Sequence, residues 1–211
     1  SEMCIRDSTY IDIFVAKLQY LFSIFYNFFS IKNRVDSLSE SLYRKIMKNV
    51  EKMIKTNAMR IVETAKIPYK VYEYEVTDGV DAKSVAQYLQ KPEEQVFKTL
   101  VTQAPNDQHG FEHFVFVIPA NAELSVKKAA HAAGVKNLEM LPLKKLLPLT
   151  GYVHGGCSPL GMKKQFPVFI DETAILFDTF CLSGGKIGVT LELNAEALAA
   201  AIGAKFADLT L

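Results

Sequence analysis

Apolar and polar positions follow a helical period in some stretches of the chain and a strand period in others. Over Ile54–Lys66, apolar residues recur at spacings of three and four, which predicts an amphipathic helix. After Pro68, apolar and polar residues alternate over Tyr69–Val76, which predicts a strand. The same criteria predict helices at Ala82–Gln90, Val126–Ala133 and Ala195–Ile202, and strands at Val96–Gln103, Phe114–Pro119, Phe166–Asp171, Ala174–Ser183 and Ile187–Leu193.

Residues that favour helix ends and turns support these boundaries. Asp81 and Ser125 can cap the helices that follow them, and Gly134 stands where a helix would end. Pro105 begins a predicted loop. The predicted strands outnumber the helices and do not alternate regularly with them, which disfavours a doubly wound parallel sheet. The pattern therefore predicts a single α+β domain over residues 53–211, with a mixed or barrel-like sheet and flanking helices.

Composition and charge narrow the class of protein. Apolar residues make up 49% of the 211 positions, charged residues 22%, and the net charge is +1, as in soluble globular proteins. Any contact with nucleic acid must therefore come from a local basic patch. Cys4, Cys157 and Cys181 lack metal-ligand or CxxC spacing, which argues against a disulfide scaffold or a zinc site. We expect a protein of a reducing compartment, the cytoplasm.

Residues 1–52 differ in composition from the rest of the chain. All 11 glycines and all 8 prolines follow Glu51, and Thr9–Lys52 is rich in Phe, Tyr, Ile, Asn and Lys. The hexapeptide MCIRDS at Met3–Ser8 matches the translation of a transposon-end adapter used in sequencing libraries. We interpret this segment as adapter and upstream read-through, with Met53 as the natural start and Met47 as the second choice, and exclude it from the fold.

A genuine amphipathic or membrane-anchoring helix is the alternative interpretation of the same segment. Ile11–Phe29 is apolar and aromatic, but Asp12 and Lys17 interrupt it, and a membrane span needs about 20 mostly apolar residues. On the first interpretation we expect no membrane association. Mass spectrometry of N-terminal peptides from the native host's protein distinguishes the two.

The stretch Thr150–Lys164, TGYVHGGCSPLGMKK, is the densest concentration of candidate chemistry. Its four glycines indicate close backbone approach or positive φ angles. Cys157 could be a nucleophile, but a catalytic thiol needs an activating base, and His154 lies in the same loop without a fixed geometry. We favour a small buried side chain for Cys157. Lys163 and Lys164, at its end, could contact a phosphate.

Other lysines allow two interpretations each. Lys98 lies inside a predicted strand beside Leu100, where its charge could bind a carbonyl or anionic oxygen in a partly dry site. On the pattern alone, we favour the alternative of a lysine that snorkels at a sheet edge. Between Leu124 and Ile170, seven lysines accompany one acid, Glu139. This excess could contact a phosphate backbone or could lie on solvated helix faces.

Three ordered segments resemble the YbaK family of aminoacyl-tRNA deacylases. They are FKTLV at Phe97–Val101, the glycine-rich stretch Thr150–Lys164, and SGGKIG at Ser183–Gly188. The last of these, taken alone, predicts only a hairpin turn, because it lacks the spacing of a P-loop. The resemblance covers about Met53–Leu211, and it implies a mixed barrel-like sheet with flanking helices.

The resemblance implies removal of cysteine mischarged onto tRNA(Pro). Prolyl-tRNA synthetase makes this error because cysteine and proline are similar in size. The implied partners are the acceptor end of tRNA(Pro) and the synthetase. In the family, the substrate's own thiol attacks its ester, so we expect no protein nucleophile, metal or cofactor. A non-catalytic module that binds the tRNA or the synthetase is the alternative.

The resemblance also implies the residues of the site. Lys98 is the expected catalytic residue. The residues expected around the aminoacyl ester and the terminal adenosine are Tyr74, Thr99, Gly155, Gly156, Ser183, Gly184, Gly185 and Lys186. The chain departs from the family at His154 and Cys157, which are commonly apolar in relatives, at Ile187, often arginine, and at Thr190, where an acid can occur. These differences concern substrate choice more than reaction class.

Overall fold

The computed structural model describes residues 55–74, 82–106 and 110–211. The predicted extension 1–52, the start at Met53, the strand end at Val76 and the cap at Asp81 lie outside the described residues. The boundary of the predicted domain at residue 53 therefore stays a prediction.

The described residues form five α-helices and eight strands. The helices are α1 Asn57–Thr64, α2 Ala82–Leu89, α3 Val126–Ala133, α4 Leu143–Thr150 and α5 Ala195–Ile202. The strands are β1 Tyr69–Glu73, β2 Phe97–Asn106, β3 Gly110–Pro119, β4 Glu139–Met140, β5 Val168–Asp171, β6 Phe180–Lys186, β7 Val189–Leu193 and β8 Lys205–Ala207. Short 3₁₀ helices lie at Glu93–Gln95 and Glu172–Leu176.

Local capping explains where several helices begin and end. Thr56 and Ser125 accept hydrogen bonds from the backbone of Met59 (3.2 Å) and Lys128 (3.5 Å), at the starts of α1 and α3. Gly134 ends α3 in the left-handed conformation, with φ of 72°. The predicted bounds of α3 and its two end residues are therefore confirmed, as are the bounds of α5.

The strands form two sheets within the described part of the chain. The order β1-β7-β6 makes a three-stranded antiparallel sheet, and β4-β2-β3-β5-β8 makes a five-stranded mixed sheet. An isolated parallel bridge between Val96 and Cys181 lies between them. The predicted α+β class and mixed pairing are confirmed. The expected barrel-like sheet is corrected, because the strands divide between two sheets that do not close into a barrel.

The apolar core fills the space around these sheets. Its largest cluster includes Phe97, Val115 and Ile170 of the five-stranded sheet and Leu182 and Leu191 of the three-stranded sheet. A second cluster packs α3 on the five-stranded sheet, and a third packs α2 on the three-stranded sheet. The two sheets are thus held face to face by burial, which leaves the ends of their strands to frame a cavity.

Several predicted boundaries are wrong. Pro105 does not begin a loop, because β2 continues through it to Asn106. The strand predicted from Ala174 begins only at Phe180, because Glu172–Leu176 forms a 3₁₀ helix that the Asp171 side chain caps at Thr173. The elements β4, α4 and β8 have no predicted counterpart. In the part of the chain that the structure describes, no helix is long and apolar enough to cross a membrane.

Candidate functional site

A cavity of about 400 Å³ lies where the two sheets meet α4 and the glycine-rich loop. Its walls come from the start of β2, from β6 and β7, and from the segment that includes β4 and α4. The volume is in the range of small-molecule sites, and such sites combine apolar walls with a few placed polar groups. The cavity therefore has the dimensions of a ligand site at the junction of separate elements.

The cavity brings together five of the nine predicted site residues. Tyr74, Lys98, Thr99, Gly155 and Ser183 all line it. These residues come from β2, from β6, from the end of β1 and from the glycine-rich loop, so only the tertiary fold makes them neighbours. Their catalytic and binding roles stay predictions. The other four predicted residues, which do not belong to the cavity wall, are Gly156, Gly184, Gly185 and Lys186.

Lys98 is a partly buried cation in this wall. Its Nζ donates a hydrogen bond to the backbone oxygen of Ala120, at 3.0 Å. Lys98 pairs in register with Ile118 of β3, so the side chain reaches along the sheet to the residue that follows this strand. A lysine ammonium has three donor hydrogens, and a partly dry setting strengthens its attraction for an oxyanion. The residue is thus placed to hold positive charge against a ligand in the cavity.

Three hydroxyl-bearing residues form a row in the part of the cavity wall that the three-stranded sheet supplies. Thr190 of β7 lies between Ser183, its register partner on β6, and Tyr74, at the end of β1. The phenol of Tyr74 is 3.3 Å from the Thr190 hydroxyl, and its ring stacks on Tyr88 with centroids 5.4 Å apart. Burial raises the pKa of Tyr74, and the hydrogen bond to Thr190 opposes that rise. Neutral hydroxyls therefore line the same cavity as Lys98.

Thr99 has an unusual hydrogen-bonding state. Its Oγ1 is buried and makes no hydrogen bond to any described residue. A buried polar atom without a partner costs free energy, and such atoms are rare in native proteins. Because Thr99 lines the cavity beside Lys98, this cost falls at the predicted site.

The glycines outside the cavity wall serve close packing. A Cβ on Gly184 would lie 2.7 Å from Cγ1 of Val189, and one on Gly156 would lie 3.1 Å from the backbone nitrogen of Ile187. Gly185 has φ of +86°, and a Cβ there would meet the ring of Tyr152 at 3.0 Å. The glycine-rich loop and the β6–β7 hairpin therefore touch through their backbones, which fixes the loop that carries Gly155.

Cys157 lines the cavity but has the properties of a protonated core residue. It is 8% exposed, and burial raises the pKa of its thiol to about 12. A thiol with such a pKa holds almost no thiolate at neutral pH, and the thiolate is the nucleophile. The predicted assignment of Cys157 as a small buried side chain agrees with this environment.

A buried carboxylate, Glu192, lies two residues beyond Thr190 on β7. Glu192 accepts hydrogen bonds from Lys91 (2.7 Å), Thr179 (2.6 Å) and Tyr72 (2.5 Å). Although burial alone would raise it, these three donors lower the pKa of Glu192 to about 2. Glu192 and Thr190 project from the same face of β7, so the ionised network supports the strand that carries the hydroxyl row.

Sequence reasoning missed several residues of the cavity wall. Thr190 was noted only as a departure from the family. Leu141 and Leu146 line the cavity from a segment whose helix was not predicted. The signal was present in the leucines of LPLKKLLPLT, but two prolines obscure it. Pro142 immediately precedes the helix, without a side-chain capping hydrogen bond, and Pro148 lies inside it. Across residues 55–74, 82–106 and 110–211, no cluster of three His, Cys, Asp or Glu side chains could hold a metal ion.

Fold and cavity together place the chain in a known class. Residues 77–201 match the aminoacyl-tRNA editing domain family, and the chain belongs to that family. Among curated proteins, it is 46% identical over 157 residues to "Putative Cys-tRNA(Pro)/Cys-tRNA(Cys) deacylase EbsC" of Enterococcus faecalis (strain ATCC 700802 / V583). That alignment covers 74% of this chain and 93% of the relative. The resemblance predicted from the three motifs is thereby confirmed.

Two solved structures share the fold. One, described as a "putative trans-editing enzyme for prolyl tRNA synthetase", has a TM-score of 0.63 and 24% identity, and the match covers 75% of this chain and 99% of that one. The other, the hypothetical protein APE2540, has a TM-score of 0.65 and 21% identity, over 74% of this chain and 100% of that one. At these identities the likeness establishes the fold alone.

Proposed function

We propose that this chain is a trans-editing deacylase that releases cysteine from mischarged tRNA(Pro). The proposal takes its substrate class from the name of the Enterococcus relative, which gives Cys-tRNA(Pro) and Cys-tRNA(Cys). Its partners would be the acceptor end of tRNA(Pro) and prolyl-tRNA synthetase, the enzyme named for one structural neighbour. It would act in the cytoplasm, where charged tRNAs are used.

One observation carries the proposal: a partly buried lysine and a row of neutral hydroxyls surround a cavity whose own cysteine is protonated. Lys98 supplies positive charge, and Tyr74, Ser183 and Thr190 supply hydrogen-bonding groups. The raised pKa of Cys157 argues against a protein thiolate as nucleophile. The attacking thiol is then best supplied by the cysteine of the substrate.

The proposed reaction balances without a further reactant. The substrate's thiol loses its proton, and its sulfur bonds to the carbonyl carbon of its own ester. The carbonyl oxygen becomes an oxyanion, and the carbon–oxygen bond to the terminal ribose then breaks. The proton ends on the released ribose oxygen, which gives free tRNA and a cyclic thiolactone that water opens. Holding sulfur and carbonyl in one bent conformer accelerates this step through proximity.

Lys98 is assigned the largest electrostatic contribution. Its ammonium would face the oxyanion as negative charge develops, in a cavity where water screens the attraction only partly. The hydrogen bond to the Ala120 carbonyl fixes the direction of the amine before substrate binds. The hydroxyl row would hold the amino group and the ribose of the substrate, since hydroxyls both donate and accept.

A deacylation assay with purified protein tests the proposal. Cys-tRNA(Pro) should be hydrolysed, while Pro-tRNA(Pro) and Ser-tRNA(Pro) should survive, because neither carries a thiol. Lys98→Ala should lower the rate of deacylation by about 100-fold or more, the usual effect of removing an oxyanion donor. Its circular dichroism and melting temperature should match those of the parent protein.

Lys83→Ala is the matched control, because Lys83 also lines the cavity but on its exposed side. That variant should retain most of the activity. Hydrolysis of Ser-tRNA(Pro) as fast as Cys-tRNA(Pro) would refute the thiol-assisted step. Protein that binds Cys-tRNA(Pro) without cleaving it would instead support a non-catalytic binding module.

A further inference from the structure

A basic and aromatic patch lies beyond the cavity, on β3, α4 and the loop before β5. We define the basic-aromatic patch as Phe111, His113, Lys145, Lys164 and Phe166. The Nζ of Lys145 lies 4.9 Å from the centroid of the Phe111 ring, and the ring of His113 lies 5.9 Å from that of Phe166. Phe111 is 42% exposed, and both lysines are exposed. The patch is therefore open to a partner.

Two lysines bring positive charge close to His113 in the patch. Burial is the main reason that the pKa of His113 lies below its usual value, and the charges of Lys145 and Lys164 lower it further. The charges of both lysines thus act on the same side chain, His113. Lys145 also lies 3.4 Å from the side-chain oxygen of Gln103, whose amide nitrogen donates to Glu139. Glu139 therefore accepts a hydrogen bond from Gln103 at the edge of the patch.

The patch continues the face of β2 that enters the cavity. Thr99 lines the cavity, and Gln103 lies four residues further along the same face of this strand. At about 3.3 Å per residue, the two positions are about 13 Å apart. Gln103 pairs in register with His113. Val101 and Gln103 are themselves buried, so the surface connection between cavity and patch runs over α4, which lines the cavity through Leu143 and carries Lys145 of the patch.

The chemistry of the patch matches a single nucleic-acid strand. Lysines contact phosphates, and exposed aromatic rings stack on bases without regard to sequence. Stacked nucleotides advance about 3.4 Å each, so about 13 Å corresponds to roughly four nucleotides. We propose that the basic-aromatic patch binds the unpaired 3′ nucleotides of the tRNA whose terminal ester occupies the cavity. This inference rests on the proposed function, because it takes the cavity as the ester site.

Binding of uncharged tRNA(Pro) to the full chain tests the patch without any deacylation. Two RNA probes are compared by fluorescence anisotropy: the intact tRNA, and the same tRNA trimmed of its unpaired 3′ nucleotides. The test variants are Phe111→Ala and the double reversal Lys145→Glu/Lys164→Glu. The matched control is Lys127→Glu/Lys136→Glu, which makes the same charge change on exposed lysines in and after α3.

Phe111→Ala should weaken binding of the intact tRNA by about fivefold or more, the effect of losing one stacked base. The double reversal should reduce the slope of log affinity against log salt by about 1.4, at about 0.7 per single-strand phosphate. The control should change the affinity much less than the test reversal, and trimmed tRNA should bind every patch variant as it binds the parent protein.

Equal losses in the test and control reversals would refute the patch. Equal losses of affinity for intact and trimmed tRNA would also refute it, because they would place the contact on the duplex. Patch variants that lose binding to prolyl-tRNA synthetase but keep binding to tRNA would refute it too. A chain that binds tRNA through the patch but leaves Cys-tRNA(Pro) intact would refute the proposed function and retain the RNA surface.

Discussion

The phenol oxygen of Tyr74 lies 3.3 Å from the hydroxyl oxygen of Thr190, and both residues line the cavity. The contact joins the end of β1 to β7, two segments far apart in the sequence. Thr190 also pairs in register with Ser183 on β6. Thr190 therefore sets the spacing among all three hydroxyl-bearing residues. Thr190 should therefore act through the orientation of Tyr74.

A double-mutant cycle measures this coupling. Thr190→Val and Tyr74→Phe should each lower kcat for Cys-tRNA(Pro), and the double variant should lose less than the product of the two effects, by a coupling of about 0.5–1.5 kcal/mol. Thr190→Ser should restore most of kcat. Thr102→Val, a buried threonine outside the cavity, is the control and should leave kcat unchanged.

The pKa of Tyr74 gives a readout that is independent of activity. The hydrogen bond to Thr190 lowers that pKa against the effect of burial, so Thr190→Val should raise it further. NMR titration of tyrosine carbons, assigned with Tyr74→Phe, measures the shift. A pKa that stays the same or falls in Thr190→Val would mean that the two hydroxyls do not interact.

Cys157 should be dispensable for the reaction. Since burial raises the pKa of its thiol to about 12, it should react with iodoacetamide at pH 8 far more slowly in the folded protein than after unfolding in urea. Peptide mass spectrometry measures the labelling. Cys157→Ser should retain most of the deacylation, and loss of activity in a folded Cys157→Ser protein would contradict substrate-thiol chemistry.

Glu192 should make stability depend on acid pH. Its pKa is lowered from 4.5 to about 2 in the folded protein, so its ionised form stabilises the fold above about pH 4.5. This contribution is lost as the pH falls towards 2. Glu192→Gln should cost about 1–3 kcal/mol of unfolding free energy at pH 7, and should flatten the decline between pH 5 and 2.

Urea denaturation at a series of pH values measures this difference. Glu196→Gln is the control, because Glu196 is exposed on α5. A decline of equal steepness in Glu192→Gln and in the parent protein would show that other carboxylates cause the acid sensitivity.

Any side chain introduced at Gly184 should destabilise the folded protein. A Cβ there would lie 2.7 Å from Cγ1 of Val189, so Gly184→Ala should lower the unfolding free energy by about 1–3 kcal/mol. Val189→Ala removes the clashing methyl groups. Adding Gly184→Ala to Val189→Ala should therefore cost less than adding it to the parent protein. Thermal denaturation of the four proteins measures this, and strict additivity would contradict the clash.

Local signals account for the elements that sequence reasoning placed correctly. The bounds of α3 follow from Ser125 and Gly134, which act within one turn of the helix ends. Strand β4 has two residues and β8 has three, too few for a period to emerge. The run from Ala174 is apolar enough for a strand, but the Asp171 side chain bonds the backbone and hydroxyl of Thr173 and supports a 3₁₀ turn instead.

The cavity was less predictable than the elements. The strand pattern drew attention to Lys98, but only the family motifs favoured a role at the site for Lys98 and Tyr74, because no periodicity marks a side chain as facing a ligand. Thr190 gains its place only from the registers of β1 and β6 against β7, which join distant parts of the chain. The patch residues Phe111 and Lys145 likewise meet only after α4 packs near β3.

The pairing of β1 with β7 has a consequence for synthesis on the ribosome. Tyr69 pairs with Leu193, so the sheet that carries the hydroxyl row joins β1, near the start of the described residues, to β7, the strand before the last helix. A nascent chain lacking β7 cannot complete that wall, and β1 is left with an unpaired edge until then. Such distant pairings also slow folding. The proposed deacylase should therefore be inactive, and dependent on protection from aggregation, until β7 has left the ribosome.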